Sequence, residues 1–464
     1  MVFPIVGGDG KPTGYEIDNS MRFNDGNANR FQRTPSSAGS RRTFTYSCWI
    51  KLSDIGNRSA LLAVSGNDNN TVFELIIHQN GYLMLGLYTF NVFETNMLFR
   101  DPSAWYHIVL RIDSTEGSSD NRVKLYVNGN RLDVNGISRA NNKNSISQNF
   151  DFGVGVSGTA MAMGSTASGG DPIGGYMSEI NFVDGAALGP DKFGETNDDG
   201  VWVPIEPDVS AYGTNGFFLE FKGTGFDVNS DGVGADTSGN DNHHGSTNFA
   251  TDHITTDTPT NNFATMNPLA PINGGAPSTL PTFSEGNTQI TVGDGTARFA
   301  TGTFATSMPY YFEVKVSAIS GQDANNRLGI VGLASIHSTT DYNAYYYSNG
   351  EIGGFGEDDN TGNDTITAND IIGVAVDLAG DNSVKFYENG DLQGTVSVGS
   401  AYQGLSTTPF ARLVSATTTF QFNFGNPLYA NSSSQSDANG YGDFEYAVPS
   451  GYFALCTKNL AEYG

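Results

Sequence analysis

Residues 123–129 (VKLYVNG) and 384–390 (VKFYENG) decide the fold class, because they spell nearly the same hairpin twice in one chain. In each copy, apolar residues alternate with lysine and tyrosine, as in a strand that has one buried and one outward face. The Asn-Gly pair that follows supplies the positive φ angles that a tight hairpin turn needs. A second strand pattern precedes each copy, at residues 105–113 and 370–378. The chain therefore carries two related β units, each a meander within a larger sheet.

Length and composition extend this prediction to the whole chain. With 464 residues, the chain is long enough for two domains of roughly 150 to 250 residues, each with its own core. Hydrophobic residues make up 38%, charged residues only 16%, and the 58 glycines crowd the segments between apolar runs. This composition is typical of an all-β chain with many turns. We predict two antiparallel β-sandwiches of the jelly-roll type in tandem, joined by an irregular linker.

The charge balance restricts the partners. The formal net charge of −26 disfavours nonspecific binding to nucleic acid or to an anionic membrane. No apolar run approaches the ~20 residues that cross a bilayer, so we also expect no membrane insertion. An acidic surface suits solubility, and it can also hold divalent cations.

Four spaced motifs in the first half carry a resemblance to a known family. They are FTYSCWIK (44–51), WYHIV (105–109), LYVNG (125–129) and GYMSEI (175–180). In this order they resemble laminin-G-like domains of the concanavalin A-like lectin and glucanase superfamily. The segment ALGPDKFGE (187–195) follows the last core strand, as in the version of this domain that occurs in proteins of marine bacteriophages.

The second half resembles a different domain with the same two-sheet topology. YYFEVKV (310–316), NRLGIVGLA (326–334), the strand and hairpin of residues 370–390, and the closing NFG (423–425) follow one another as in a SPRY domain. The resemblances together imply two concanavalin A-like sandwiches, laminin-G-like and then SPRY-like.

These resemblances and the composition of the segments between them predict the boundaries. We expect a laminin-G-like domain at 1–250, a linker rich in Thr, Asn, Pro and Asp at 251–282, and a SPRY-like domain at 283–430. A C-terminal extension, 431–464, returns to apolar character near its end. It either packs back on its own domain or contacts a neighbouring subunit.

The acidic residues give little support for catalysis. Glycosidases of the glucanase branch place two facing carboxylates on alternate residues of one strand. Only Glu16 and Asp18 have this spacing, and the third acid that such a string needs is missing. Glu179, Glu220 and Glu313 are single acids on predicted strands, which suits an outward face. We therefore predict no catalytic residues and no enzyme activity.

Histidine and cysteine also indicate structural roles. His107 alternates within an apolar strand, which favours a core position, whereas His243 and His244 occupy a polar loop without further metal ligands at suitable spacing. Cys48 lies in an apolar strand and is predicted to be a buried thiol. The sequence leaves open whether Cys48 and Cys456 form a disulfide bond, because it supplies no distance.

The loop that begins at Asp227 gives the best metal signal. It reads DVNSDG, in which Asp227, Asn229 and Asp231 alternate as in the start of a calcium-binding loop, and its glycine permits the sharp turn. The glutamate expected at the twelfth position is replaced by Ser238, and Asp236 is the next candidate ligand. Calcium is thus the one cofactor that the sequence predicts. An Asx-rich turn without a metal is the alternative.

Aromatic residues are the other route to function, because sugar faces stack on tyrosine and tryptophan. Trp49 and Trp105 lie in apolar strands and are predicted core residues. Trp202, in a short segment near the domain edge, is a candidate anchor for a ligand. Tyr342 and Tyr346 are candidate ligand-binding residues. Because three tyrosines follow one another here, either Tyr346 or its two neighbours must point outward.

The phage resemblance implies a noncatalytic virion structural protein, such as a tail fibre, spike or appendage that binds a glycan or protein receptor on the host surface. Other virion proteins, a host receptor and further copies of the chain, such as a trimer, are the implied partners. The sequence starts without a secretory signal pattern, which fits assembly in the host cytoplasm and release by lysis. Three alternatives remain open: a capsid decoration or head fibre, a carbohydrate-active enzyme, and a secreted adhesin that lacks its signal.

Overall fold

The computed structural model is nearly all-β and forms two compact units, residues 10–260 and residues 261–464, here the N-terminal and C-terminal units. Within the described residues, no helix is long and apolar enough to cross a membrane. Backbone alone is described for 137–138 and 357–360, and the fully described residues are 14–132, 146–269, 280–320, 326–332, 343–355 and 361–464.

The N-terminal unit consists of strands joined by turns and short 3₁₀ helices. Its strands are β1 (Ser20–Phe23), β2 (Arg30–Arg33), β3 (Thr43–Leu52), β4 (Ser59–Val64), β5 (Phe73–Ile77), β6 (Tyr82–Gly86), β7 (Asn91–Leu98), β8 (Trp105–Asp113), β9 (Val123–Val127), β10 (Asn130–Leu132), β11 (Ile137–Ser138), β12 (Met161–Met163), β13 (Gly175–Asp184), β14 (Gly194–Thr196), β15 (Trp202–Pro204), β16 (Phe217–Leu219), β17 (Gly245–Thr247) and β18 (Ile254–Thr255). Its helices are α1 (Ser119–Arg122) and the 3₁₀ helices Asp25–Asn27, Pro190–Lys192 and Thr251–His253.

Two antiparallel sheets form a sandwich in this unit. One has the order β10-β9-β8-β3-β13-β1-β18, with β16 also paired to β13, and the other has the order β11-β7-β6-β5-β4-β12-β2-β17. Their inner faces form one core, in which the Phe44 ring from β3 meets the Phe73 ring from β5 edge to face at 5.8 Å. Apolar burial between two sheets is the dominant stabilising contribution in such a fold.

The C-terminal unit repeats the two-sheet plan. Its elements are β19 (Thr282–Ser284), the 3₁₀ helix Glu285–Asn287, β20 (Gln289–Val292), β21 (Arg298–Thr301), β22 (Tyr310–Ala318), β23 (Arg327–Gly332), β24 (Asn343–Tyr347), β25 (Ile352–Gly354), β26 (Glu357–Asn360), β27 (Ile371–Asp377), β28 (Ser383–Glu388), β29 (Asp391–Ser397), β30 (Thr407–Leu413), β31 (Thr418–Asn423), β32 (Phe453–Ala454) and α2 (Thr457–Tyr463). One sheet has the order β19-β20-β31-β22-β27-β28-β29, and the other has the order β21-β30-β23-β24-β25-β26.

Both predicted hairpins are present. β9 turns into β10 through Asn128 and Gly129, and β28 turns into β29 through Asn389 and Gly390, with positive φ at all four residues. Each turn glycine lies under an aromatic ring of its own unit. A Cβ added at Gly129 would lie 2.3 Å from the Trp202 ring, and one at Gly390 would lie 2.7 Å from the nearest ring carbon of the tyrosine at position 446. The glycines therefore serve both the turn and the close approach of a ring.

The segment predicted as a linker, 251–282, differs in the structure. β18 pairs with β1 and completes the first sheet of the N-terminal unit, which ends at residue 260. Ala264 and Met266 are fully buried in the core of the C-terminal unit. The described part of the segment therefore supplies residues to both units. The strand in this segment is too short to show the alternation of apolar and polar residues in the sequence. Only its tertiary contacts identify it.

The extension 431–464 packs back on the C-terminal unit. β32 pairs in parallel with β22, and Tyr452 and Cys456 are buried beside Tyr311 and Phe444. This is one of the two outcomes left open by the sequence. Both cysteines of the chain are free and buried, so the disulfide alternative does not apply.

Candidate functional site

A β-bulge in β13 creates the most unusual acidic residue of the N-terminal unit. Along β13, Ser178 pairs with Trp49 and Asn181 pairs with Ser47, so three steps on β13 face two steps on β3. The extra residue places Glu179 at φ 49°, a left-handed conformation that is uncommon for a residue with a side chain. A bulge re-aims side chains, and here it directs a carboxyl group into the protein.

Burial then changes the acidity of this group. Glu179 is only 5% exposed, and its Oε1 accepts a hydrogen bond from the Tyr15 hydroxyl at 3.2 Å. Loss of water contact, reinforced by the negative charge of Glu220, raises the pKa of Glu179 to about 8. At neutral pH the carboxyl group is therefore mostly protonated. The sequence placed Glu179 on an outward strand face, which is wrong because strict alternation fails at a bulge.

Next to Glu179 lies a cavity of about 700 Å³. Tyr15 and Tyr212 supply aromatic rings to its lining, and Glu206, Glu220 and Lys222 supply charges. The remaining lining residues are Pro207, Val209, Ser210, Ala211, Gly213, Phe218, Thr237, Ser238 and Asn240. Ligand cavities of proteins commonly have volumes of ~300 to 1,000 Å³.

Two contacts hold the polar lining in place. Lys222 Nζ donates to Glu220 Oε1 at 2.6 Å, and this contact raises the pKa of Lys222. The Tyr212 hydroxyl donates to Asn181 Oδ1 at 2.6 Å, and burial together with the nearby Glu179 raises the pKa of Tyr212. The cavity therefore offers a carboxyl group paired with an ammonium group, together with two tyrosine rings.

We predict that the stability of the N-terminal unit falls as pH rises from about 5 to 8, and that Glu179→Gln removes this contribution. The pKa of Glu179 is raised from its usual 4.5 to about 8, so in this window the folded state keeps a proton that the unfolded state releases. The difference costs up to about 1.4 kcal/mol per pH unit. Urea unfolding of both proteins at pH 5, 6.5 and 8 measures it. Parallel stability profiles would contradict the prediction.

Trp202, predicted as an anchor for a ligand, is committed to an internal stack. The His107 ring stacks on the Trp49 ring at 4.6 Å, and the Trp202 ring lies nearly parallel to it at 5.9 Å; both are inclined by 18° to the imidazole. The indole N–H of Trp202 donates to His107 Nδ1 at 3.0 Å, so Nε2 carries the proton and donates to Ser47 Oγ at 2.8 Å. Burial lowers the pKa of His107 to about 3. The stack confirms the core position predicted for His107 and Trp49.

Trp105 is only partly buried, which differs from the core position predicted for it. Its indole N–H donates to Asp257 Oδ1 at 3.1 Å, and Asp257 Oδ2 accepts from Lys51 Nζ at 2.7 Å. Lys51 is 1% exposed and Asp257 is fully buried. Burial lowers the pKa of Lys51 although Asp257 acts in the opposite direction. This buried ion pair attaches the end of the N-terminal unit to β3.

The predicted ligand-binding residue Tyr346 points into the core of the C-terminal unit. Its hydroxyl donates to Glu388 Oε2 at 2.6 Å, and its ring is fully buried. The prediction is wrong because alternation along β24 turns Tyr345 and Tyr347 outward instead. Tyr342, the other candidate, lies outside the described residues.

One of the residues predicted for the calcium loop, Asp236, is occupied by other contacts. Asp236 accepts backbone N–H groups at both carboxylate oxygens, from Phe218 at 2.9 Å and from Asn242 at 2.9 Å, which occupies it in a turn. Asn229 Oδ1 accepts from the backbone N–H of Asp231 at 2.9 Å, as in an Asx turn. Among the described residues, no group of three or more His, Cys, Asp or Glu side chains is placed to hold a metal ion. Asp236 therefore has a structural role, which corrects its prediction as a calcium ligand. A calcium ion bound by Asp227, Asn229 and Asp231 remains a prediction.

Glu16 and Asp18, the only acid pair that the sequence offered, are both exposed, as expected of solvated acids. Glu313 and His244 differ from their predicted places. Glu313 is fully buried rather than outward, because Tyr311, Asn423 and two backbone N–H groups surround its carboxylate. His244 is buried against Phe217, with ring centroids 4.2 Å apart, although the sequence placed it in a polar loop.

Two family models match the chain. The model described as the concanavalin A-like lectin/glucanases superfamily matches residues 25–191, and the model of the SPRY domain matches residues 309–427. The chain joins a concanavalin A-like domain to a SPRY domain. The concanavalin A-like match includes the bulge at Glu179, whereas Tyr15 and Glu220 lie outside it. The cavity is therefore completed by segments that flank the family's core.

The solved structures that match parts of the chain share little sequence with it. The SPRY domain of human HERC1 has 17% identity and a TM-score of 0.25, and the match covers 29% of this chain and 87% of that one. A heptameric SAP-like pentraxin from Limulus polyphemus has 19% identity and a TM-score of 0.27, covering 38% and 80%. The CBM40 domain of a Ruminococcus gnavus IT-sialidase has 17% identity and a TM-score of 0.24, covering 34% and 94%. No curated protein matches the chain significantly.

Proposed function

We propose that the protein is a noncatalytic binding protein whose concanavalin A-like domain holds a neutral saccharide in the cavity beside Glu179. The observation that carries the proposal is the lining of this cavity, in which Tyr15 and Tyr212 stand with Glu220 and Lys222 around about 700 Å³. The lectin-like fold of the domain supports the same reading.

The chemistry of the lining fits a sugar better than an apolar or anionic ligand. Tyrosine rings pack against the C–H faces of sugars, while carboxylate and hydroxyl oxygens accept hydrogen bonds from sugar hydroxyls. Glu206 and Glu220 disfavour an anionic ligand, because like charges at close range repel. A neutral polyhydroxylated ligand matches both properties.

The proposal predicts that a glycan array probed with the full chain gives binding to neutral oligosaccharides, and that Glu220→Gln weakens this binding at least tenfold. A truncated or neutralised acceptor in a desolvated site costs about 1.5 to 3 kcal/mol, which corresponds to this factor. Lys385→Gln, a change in the C-terminal unit, is the control and should bind as wild type. An array without neutral ligands would refute the proposal.

We extend the proposal to a finer role, a component of a phage tail fibre, spike or appendage that binds a glycan or protein on the host surface. The ALGPDKFGE segment, similar to one in phage virion proteins, supports it. Other virion proteins and further copies of the chain, such as a trimer, are the proposed partners. Antibody labelling of virions tests it: signal on the tail supports this role, whereas signal on the head favours a capsid decoration.

One observation favours a second candidate, a carbohydrate-active enzyme. Glycosidases pair a protonated carboxylic acid with an ionised carboxylate, and Glu179 is mostly protonated at neutral pH while Glu220 forms an ion pair. For this second candidate function, Glu179 and Glu220 are therefore the proposed catalytic acids, in place of the exposed pair Glu16 and Asp18. Incubation of the bound oligosaccharide with the protein, followed by chromatography, separates the candidates: intact sugar supports binding, and cleavage lost in Glu179→Gln supports hydrolysis.

A further inference from the structure

A group of cations lies on the outward face of the first sheet of the N-terminal unit, at the edge that β8, β9 and β10 form. Lys124 on β9 lies directly opposite Arg111 on β8. Two residues further along β9, Tyr126 lies directly opposite Arg131 on β10. Both residues of β9 alternate with buried core residues, so they face away from the core. These four residues are here called the basic patch.

The positive charges of the basic patch are only weakly compensated within the described part of the chain. The guanidinium groups of Arg111 and Arg131 donate to backbone carbonyl oxygens at 3.0 Å, which orients them without neutralising their charge. Arg111 Nη2 lies 3.9 Å from Glu116 Oε1. Among the described residues, no carboxylate forms a salt bridge with Lys124 or Arg131. Partial burial, together with the charges of Arg111 and Arg131, lowers the pKa of Lys124, although Glu116 acts in the opposite direction.

Beside the basic patch lies an acidic hairpin, which β14 and β15 form. Its carboxylates are those of Glu195 on β14 and of Asp198 and Asp199 at the tip, and all three residues are exposed. No described lysine or arginine forms a salt bridge with any of them. The tip is ordered, because Asn197 Oδ1 accepts from the backbone N–H groups of Asp199 at 3.1 Å and Val201 at 2.8 Å. The hairpin therefore presents its charges in a fixed arrangement.

The basic patch and the acidic hairpin share one face of the unit. The Trp202 ring of β15 lies against Gly129, in the turn that joins β9 to β10. Its indole N–H donates to His107 on β8. His107 lies on the same side of β8 as Arg111, because residues at even spacing along a strand share a face. Unlike charges therefore lie side by side on this face, and the chain does not pair them with one another.

We propose that this face joins two copies of the chain, with the acidic hairpin of each copy placed on the basic patch of the other. A face that carries unlike charges side by side is complementary to itself after a two-fold rotation, which is what an isologous dimer requires. Lys124 and Arg131 of each copy then receive the carboxylates of Asp198 and Asp199, and opposite potentials of this kind select and orient partners. The contact is separate from the saccharide cavity, which other residues line.

Two further observations favour a second copy as the occupant. Val201, next to the acidic tip, is 41% exposed, and the half-buried Tyr126 ring lies beside the cations, so the face also offers apolar contact. Tyrosine and arginine are enriched in protein interfaces. The formal net charge of −26 means that most of the surface repels a second copy, and the basic patch is the part of this face that attracts it.

Sedimentation equilibrium of the full chain at about 5 to 200 µM in about 0.1 M NaCl tests the proposal. We expect a monomer–dimer equilibrium whose upper limit is twice the 49.4 kDa of one chain. Lys124→Glu and Asp199→Lys should each raise the dimer Kd at least tenfold, because a two-fold dimer contains every contact twice. The double variant keeps the wild-type net charge and should dimerise again, and a mixture of the two single variants should form a heterodimer.

Arg100→Glu is the matched control for Lys124→Glu. It makes the same change of charge at an exposed residue after β7, in the other sheet, and should leave the Kd within about twofold. Arg131→Glu repeats the test at an exposed position of the patch, and melting curves of all variants separate loss of the contact from loss of the fold.

Four outcomes would overturn the proposal. A chain that stays monomeric up to about 200 µM would leave the patch to an anionic partner other than the chain itself. Equal Kd values for Lys124→Glu and Arg100→Glu would place the contact elsewhere. A double variant and a mixture that both stay monomeric would show that the hairpin and the patch do not meet. An assembly of more than two copies would exclude the two-fold arrangement.

Discussion

Replacing Asp257 with asparagine is expected to destabilise the N-terminal unit by about 3 to 5 kcal/mol. Lys51 Nζ lies 2.7 Å from Asp257 Oδ2, and both side chains are almost completely buried. Asparagine keeps the shape of the residue but removes its charge, so the Lys51 ammonium loses its buried ion pair with Asp257. Chemical denaturation of the full chain, followed by tryptophan fluorescence, measures the loss.

A surface ion pair of the same unit provides the matched control. Arg42 and Asp151 lie 2.7 Å apart, but their side chains are 46% and 38% exposed. Water and salt screen such a pair, so Asp151→Asn should cost no more than about 1 kcal/mol. Equal losses for Asp257→Asn and Asp151→Asn would show that Lys51 is not buried with its charge, and would contradict the structure of this region.

Glu313→Leu is expected to produce a comparably large loss in the C-terminal unit, at least about 3 kcal/mol. The Glu313 carboxylate accepts hydrogen bonds from the Tyr311 hydroxyl, from Asn423 Nδ2 and from the backbone N–H groups of Glu445 and Tyr446, at 2.9 to 3.2 Å. Leucine removes this acceptor. The Asn423 amide keeps a second acceptor, the Asp443 carbonyl, but the Tyr311 hydroxyl and the two backbone N–H groups lose the Glu313 oxygens, and each orphaned group costs about 1 to 3 kcal/mol.

The same substitution at an exposed site separates this effect from a general cost of leucine. Glu462 is exposed in α2 of the same unit, so Glu462→Leu should change stability by no more than about 0.5 kcal/mol. Urea unfolding of both variants provides the comparison. If Glu313→Leu lowered the free energy of unfolding by less than about 1 kcal/mol, the Glu313 carboxylate would not be needed to hold the segment after β31 in place.

Glu313 also shows why one sequence motif was informative. The NFG motif at residues 423–425 supported the SPRY resemblance. In the structure Asn423 Nδ2 donates to Glu313, and Asn423 Oδ1 accepts from the backbone N–H of Gly425 at 2.9 Å. The motif therefore closes the last core strand and holds the segment that follows it. Recognising the pattern located the domain, although the burial of Glu313 was not foreseen.

Regular alternation made the fold predictable. The two Asn-Gly hairpins, the all-β class, and the burial of Trp49 and His107 all follow from strands in which neighbouring side chains face opposite ways. These features depend on local sequence, so a single sequence was enough to predict them. The two hairpins differ in one apolar pair, Leu125 against Phe386, and at one position where a charge replaces an apolar residue, Val127 against Glu388. The second difference is explained, because Glu388 accepts the hydrogen bond of the buried Tyr346.

The candidate site was missed for the opposite reason. Glu179 enters the protein because one extra residue interrupts β13, and no local pattern in the sequence marks a bulge with glutamate in a left-handed conformation. Tyr15 and Glu220 are about 205 residues apart and meet only in the folded unit. The sequence analysis assigned Asp257 to a linker. Its burial depends on the contact with Lys51, and these two residues are about as far apart in the sequence as Tyr15 and Glu220.

The central claim is that the cavity lined by Tyr15 binds a neutral saccharide, and calorimetry of Tyr15→Ala tests it most directly. Tyr88→Ala is the matched control, because Tyr88 is a 59% exposed tyrosine of the same unit that does not line the cavity. With the strongest neutral ligand from the array, we expect Tyr15→Ala to bind at least tenfold more weakly than wild type, since a stacking ring is lost. Tyr88→Ala should bind as wild type. Unchanged affinity in Tyr15→Ala would contradict the account.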